Sequence, residues 1–163
     1  MVDFAKKGYI TATVSYRLKN DSIYPACVQD VSDAMHFLFS NAGKYGYDPD
    51  RVAMIGGSAG GHLVLMTTYD FKEPTIPLDS VYLATRPHKV KCVVDIYGPV
   101  DMTTPYAQTQ GLVTGFIGHP YSEKPELYWE ASPAKYLREG LPPTLYFPGY
   151  FRQSCFRKVS RTL

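Results

Sequence analysis

Cysteine is scarce in this chain: Cys27, Cys92 and Cys155 are the only three in 163 residues. An odd count at wide spacing builds neither a disulfide framework nor a pair of metal ligands, so these read as free or buried thiols. Long apolar runs are missing too, and nothing approaches the roughly 18–20 residues that a membrane span needs. The opening Met-Val-Asp-Phe-Ala-Lys-Lys-Gly is charged and lacks the apolar stretch of a signal peptide, which leaves the compartment open. Charge of one sign is lacking as well. Residues 1–148 hold 13 basic and 15 acidic side chains, whereas residues 149–163 hold four basic and none acidic. A body of net charge −2 is not a nucleic-acid binder by charge, and the basic tail looks foreign to it.

What is present suits one globular domain. The chain is 45% apolar, with 13 glycines and 13 prolines scattered without a period. At this size a domain buries about 68–70% of its unfolded surface. Residues 9–16 (Tyr-Ile-Thr-Ala-Thr-Val-Ser-Tyr) are rich in β-branched and aromatic types and predict a buried strand. After the turn Asn20-Asp21-Ser22, Pro25 opens a predicted helix in which Val28, Val31, Met35, Leu38 and Phe39 recur at helical spacing, ended by Gly43 or Gly46. Arg51–Ile55 predicts a second strand, Lys91–Tyr97 a third closed by Gly98-Pro99, and Thr144–Phe147 a fourth. Residues 71–90 carry three prolines and predict a surface excursion. Residues 101–130 are aromatic, turn-rich and poorly periodic, and a short helix is expected around Pro133–Arg138. Alternating strands and helices predict an α/β fold, a mostly parallel sheet with helices on both faces.

One junction carries chemistry. Gly56-Gly57-Ser58-Ala59-Gly60 fits G-x-S-x-G between a strand and the apolar run His62–Met66 of a helix. A nucleophile there must ride a strained turn so that its hydroxyl stands clear of the sheet. Glycines two residues to either side avoid collisions with strand or helix. The Ala59 N–H, at a helix N-terminus, is placed to donate to an oxyanion. Other glycine-rich readings fit less well. A dinucleotide loop would need glycine where Ser58 stands, and a P-loop would need Lys where His62 stands. Plain close packing of helix on strand is the bland alternative.

These residues resemble a known family. Arg51–Leu63 is similar to the elbow of hormone-sensitive-lipase-like carboxylesterases of the α/β-hydrolase fold, closest to the bifunctional feruloyl and acetyl-xylan esterases. Tyr16-Arg17-Leu18, Tyr45–Arg51, Tyr97-Gly98-Pro99-Val100-Asp101, Ala131-Ser132-Pro133 and Pro142–Leu145 match in order, so that the resemblance covers about residues 4–148. It implies a partial α/β-hydrolase fold, with residues 1–148 as an incomplete core and 149–163 as an atypical tail. It implies a serine hydrolase of carboxylic esters with no cofactor, acting on a small-molecule or carbohydrate-linked ester of acetyl, feruloyl or short acyl type. Ser58 would be the nucleophile and Ala59 an oxyanion donor. The family's upstream His-Gly-Gly-Gly loop has no counterpart here. Its Asp motif is replaced by Pro148–Cys155, with Arg152 where the Asp should stand, and its later His is not reached. Activity of this chain should therefore be impaired, and a non-catalytic ligand-binding or receptor-like module on a hydrolase fold is the alternative.

Internal substitutes exist on paper, because Ser58, then Asp95 or Asp101, then His119 follow the order of this fold. Each has a bland reading. Asp95 lies inside an apolar strand, Asp101 follows a Gly-Pro turn where aspartate often caps the chain, and His119 precedes Pro120 in an irregular stretch. His62, four residues after Ser58, reads as a packing residue of the helix. His36 and His88 read as a helix and a loop residue. Tyr97, Tyr106, Tyr121, Tyr128 and Trp129 read equally as pocket walls or as core. The tail is expected to be out of frame, since codon degeneracy lets residues 150–163 be rewritten one base later with an Asp-x-x-Val placed where the family's acid motif is due. Sequencing the source DNA checks this: an alternative frame should run into an Asp motif and a later His, and a frame that does not disposes of the idea.

Overall fold

The computed structural model describes residues 1–71 and 90–148. In chain order it contains α1 (Val2–Lys6), α2 (Ala26–Ser40), α3 (Ala42–Tyr45), a 3₁₀ turn (Pro49–Arg51), β1 (Val52–Gly57), α4 (Ala59–Tyr69) and β2 (Val90–Ile96). Then follow α5 (Pro105–Gln108), α6 (Gly111–Ile117), α7 (Pro125–Glu130), a second 3₁₀ turn (Pro133–Tyr136) and β3 (Thr144–Phe147). The expected excursion at 71–90 and the tail from 149 lie, apart from Phe71 and Val90, outside the described residues.

Three strands form a parallel sheet in the order β1-β2-β3. Register pairs Met54 with Val93, Gly56 with Asp95 and Gly57 with Ile96; Asp95 pairs onward with Tyr146. One face of this sheet meets α4. Thr68 donates from α4 to the Met54 sulfur, and the Tyr69 hydroxyl lies 2.9 Å from the Thr144 hydroxyl. On the other row, Ile55, Leu145 and Phe147 remain exposed. The α4 segment Leu63-Val64-Leu65-Met66 is buried all round, as an apolar helix between layers must be. Its outer side takes Val28, Val31, Met35 and Phe39 of α2, all buried in the same cluster as Met54 and Val93. The helical spacing of α2 thus does what the sequence implies, and Leu38 packs against the cluster's edge. Asn41 interrupts the helix before α3, and Gly46 ends α3 in the left-handed region at φ 68°.

Residues 9–16 correct the sequence reading. They form no strand and pair with none of β1–β3. Tyr9 and Ile10 are exposed, and only Val14 and Tyr16 pack against the core. The segment is held beyond its end instead, where Asp30 of α2 accepts from the Arg17 backbone N–H at 2.8 Å and from the Arg17 guanidinium at 2.7 Å. High β-propensity describes a fit to a pleated surface, and without a ladder partner it yields only extended chain.

Residues 101–130, irregular in sequence, fold as three short helices around a second small core of Met102, Ile117, Tyr128 and Ala131. Pro125 starts α7, and the Thr104 hydroxyl caps α5 by accepting from the Ala107 N–H at 3.2 Å. Periodicity could not reveal helices this short. Their placement is tertiary: the Tyr24 N–H donates to Phe116 and the Tyr24 hydroxyl donates to Glu130, both to backbone carbonyls.

Candidate active site

The elbow stands where β1 ends and α4 begins. Ser58 has φ 53° and ψ −121°, a conformation that costs an L-residue of order 1–3 kcal/mol and persists only when its surroundings over-determine it. Those surroundings are visible. The Ser58 N–H donates to Ile96 at 2.8 Å, continuing the β1–β2 ladder, and the Ser58 carbonyl accepts the first helical bond from His62 at 3.0 Å. Ser58 and Ala59 are both exposed residues, at the carboxyl end of β1 where α4 starts.

The glycines divide differently from the motif's expectation. A Cβ on Gly56 would overlap the Gly60 carbonyl, so that position has to be glycine. One on Gly60 would meet nothing within 4 Å, so helix-on-strand packing does not require glycine there. The tight contact belongs instead to Gly61, where a Cβ would overlap the Asp95 carboxyl, and to Gly98, where one would press on the same carboxyl and on the His62 backbone. Two segments approach at backbone distance: the first turn of α4 and the turn after β2.

Asp95 and His62 line that approach. Asp95 is fully buried; its Oδ1 accepts from the Gly98 N–H at 2.8 Å, and burial raises its pKa to about 6 against the relief of that bond. Its Oδ2 and the His62 Nε2 are buried without a hydrogen-bond partner among the described residues. The His62 Nδ1 lies 3.0 Å from the Pro99 carbonyl, and burial pushes its pKa down to about 4, so the ring is neutral near pH 7. Phe116 covers it edge-on at 5.3 Å between ring centres.

The remaining candidates sit elsewhere. The Asp101 Oδ1 accepts from the Thr103 N–H at 2.8 Å and from its hydroxyl at 2.6 Å, a local turn. The His119 Nδ1 lies 3.7 Å from Glu123, and its carbonyl accepts from the Tyr128 hydroxyl. Among the described residues no hydrogen bond joins Ser58 to Asp95, Asp101 or His119, nor His119 to either aspartate. His36 is buried in α2 with its ring 4.5 Å from that of Phe71; His88 lies outside the described residues. Tyr128 is core, with Tyr121 edge-on to it at 5.1 Å, whereas Tyr97, Tyr106 and Trp129 are exposed. Cys27 is buried and Cys92 half-buried, both free thiols; burial raises the Cys27 pKa to about 11, which keeps it an inert thiol. No group of three or more metal-ligating side chains comes together among the described residues. A shallow groove lined by Tyr16, Arg17, Asp21, Asp30 and Asp33 shares no residue with the elbow.

The sequence offered Tyr97 only as a pocket wall or core residue, and its backbone strain was not legible there. Tyr97 and Ser58 are the only non-glycine residues with positive φ among those described, Tyr97 at 51°. Each follows the end of its strand, and the Tyr97 N–H donates to Phe147 at 2.8 Å just as Ser58 donates to Ile96.

A strained, exposed serine, set on the turn from a parallel strand into a buried helix, defines the α/β-hydrolase class. A family model described as BD-FAE matches residues 1–161, and the chain belongs to that family. It is 27% identical over 147 residues to esterase LipQ of Mycobacterium tuberculosis (strain ATCC 25618 / H37Rv), covering 87% of this chain and 34% of that protein. A truncated form of a carbohydrate esterase from gut microbiota superposes with TM-score 0.65 and 28% identity, over 82% of this chain and 52% of that one. An acetyl ester-xyloside bifunctional hydrolase from Caldicellulosiruptor lactoaceticus shares the fold, with TM-score 0.65 and 24% identity over 81% of this chain and 46% of that one. The chain spans about a third of the length of the curated relatives it matches along most of its own length.

Two measurements follow from this geometry. Gly60→Ala should hold or raise the melting temperature, because alanine gains up to about 1 kcal/mol of helix propensity and meets no neighbour. Gly61→Ala should cost about 1–3 kcal/mol through overpacking against Asp95. As the pH falls through the window from about 6.5 to about 4, His62 by itself costs stability, since the unfolded residue takes up a proton that the folded, desolvated ring refuses, while the raised pKa of Asp95 works in the opposite direction. His62→Phe should remove that cost, so that in urea titrations its stability relative to the unsubstituted protein is higher at pH 4.5 than at pH 7.

Proposed function

We propose that this chain is the nucleophile-bearing part of a serine hydrolase that cleaves carboxylic esters of acetyl, feruloyl or short acyl type on small or carbohydrate-linked alcohols. The observation that carries the reading is Ser58 itself, exposed at φ 53° directly ahead of Ala59 at the start of α4. Its hydroxyl oxygen adds to the ester carbonyl as a base takes the hydroxyl proton, and the carbonyl oxygen becomes an oxyanion that accepts from the Ala59 N–H. Collapse breaks the bond to the alcohol oxygen, which leaves with that proton. Water then hydrolyses the acyl-serine to a carboxylic acid and free Ser58. The similarity to named esterases supports the reaction class.

The base is the weak point of the site. Among the described residues no imidazole or carboxylate is hydrogen-bonded to Ser58, and hydrolases deprived of their triad retain about 10³–10⁴ of acceleration over water. A fluorophosphonate probe should therefore label Ser58 slowly and sub-stoichiometrically, read by mass spectrometry of the tryptic peptide, and Ser58→Ala should abolish the labelling. Stoichiometric labelling lost in His119→Ala would establish an internal triad. No adduct at Ser58 under any condition would overturn the reading in favour of a non-catalytic binding module.

A further inference from the structure

The buried carboxyl of Asp95 has no task in the proposed reaction, yet it lies between Gly98, which follows the strained Tyr97, and Gly61, in the helical turn that follows the strained Ser58. Its Oδ1 accepts from the Gly98 N–H at 2.8 Å, spanning Tyr97, whose φ of 51° a bulky side chain adopts only under constraint. The same oxygen occupies the space that a Cβ on Gly61 or Gly98 would need, so the carboxyl lies between the turn after β2 and the first turn of α4. His62 closes the junction from the helix side through Pro99 at 3.0 Å. The amides that hold Ser58 in place are bonded to this same unit: Ser58 N–H to Ile96, and His62 N–H to Ser58.

We propose that Asp95 is a positioning residue for the nucleophile, its carboxyl clamping the Tyr97–Pro99 turn against the first turn of α4 and so holding Ser58 in its strained conformation. The proposal rests on Ser58 being the nucleophile only for its catalytic meaning; the clamp is a property of the fold. An interior hydrophobe could fill this volume, but it could not hold the Gly98 N–H, which would be left buried and unpaired. An asparagine preserves that acceptor. The titratable groups around the carboxyl are His62 and Tyr69 of α4 and, by register, Tyr146 of β3. The Gly98 N–H bond favours the ionised form of Asp95 and burial disfavours it more, so the folded junction loses stability as pH rises through about 4 to about 6, the opposite direction to His62.

Amide hydrogen exchange on the full chain tests this without needing turnover. The readouts are the Ser58, His62 and Gly98 amides, referenced to Met35 in the core of α2. At pH 4.5, where the buried Asp95 carboxyl is neutral, these three should exchange about tenfold or more faster in Asp95→Ala relative to Met35, and Asp95→Asn should restore them to within about threefold, since one hydrogen bond is at stake. Comparing wild type with Asp95→Asn cancels His62: the ratio of their protection factors should fall about fivefold or more between pH 4.5 and 7.5. That comparison stands even where Asp95→Ala does not fold. Equal acceleration of all amides including Met35, no rescue by asparagine, or a pH-independent ratio would each overturn the clamp. Slower phosphonate labelling of Ser58 in Asp95→Ala, rescued in Asp95→Asn, would tie the clamp to the nucleophile. Normal clamp behaviour with no labelling in wild type would overturn the reading of Ser58 and leave the clamp standing.

Discussion

Everything at the candidate site depends on how closely the first turn of α4 approaches the end of β2. Gly61 and Gly98 meet there at backbone distance, and a buried carboxyl occupies the remaining space. The approach keeps α4 tight on the sheet, which lets β1 turn directly into a helix through one strained residue. Without it the chain would need a longer, looser connection, and a serine in a loose connection has no reason to hold φ 53°. The apolar girth of α4 serves the same end, since a helix buried between the sheet and α2 cannot tilt away from the junction.

The junction also fixes the local electrostatics. Two buried ionisable groups share it, and desolvation pushes them in opposite directions, His62 toward neutral and Asp95 toward protonated. Their contributions to stability oppose each other over much the same span of mildly acidic pH. A pairing of this kind mutes the acid response of the elbow in the intact protein and shows itself only when one partner is replaced. The helices at 105–130 lie over His62 through Phe116, so this aromatic segment shields the junction as well as building its own small core.

The elbow, the three observed strands and α2 were legible in the sequence because each carries a local, short-range signal. A glycine-flanked serine sits between an apolar run of strand length and one of helix length, and Val28, Val31, Met35 and Phe39 keep helical spacing. The strand at 9–16 was misread for a reason of the same kind: its composition is right, but a strand exists only with a neighbour, and composition says nothing about neighbours. The helices at 105–130 were invisible because four to seven residues complete too few turns for a period to be counted.

By itself, then, the sequence determined the α/β class, the serine at the turn and the glycine that must precede it, because these follow from spacing along the chain. Only the tertiary structure decided that Gly61 rather than Gly60 is sterically bound, that Asp95 faces a turn and not the serine, and that Tyr97 shares the strain of Ser58. Those are contacts between segments some forty residues apart, and their geometry is set by the β1–β2 register and the seating of α4. No local pattern encodes a distance between two backbones; it emerges when the sheet and the helix are packed together.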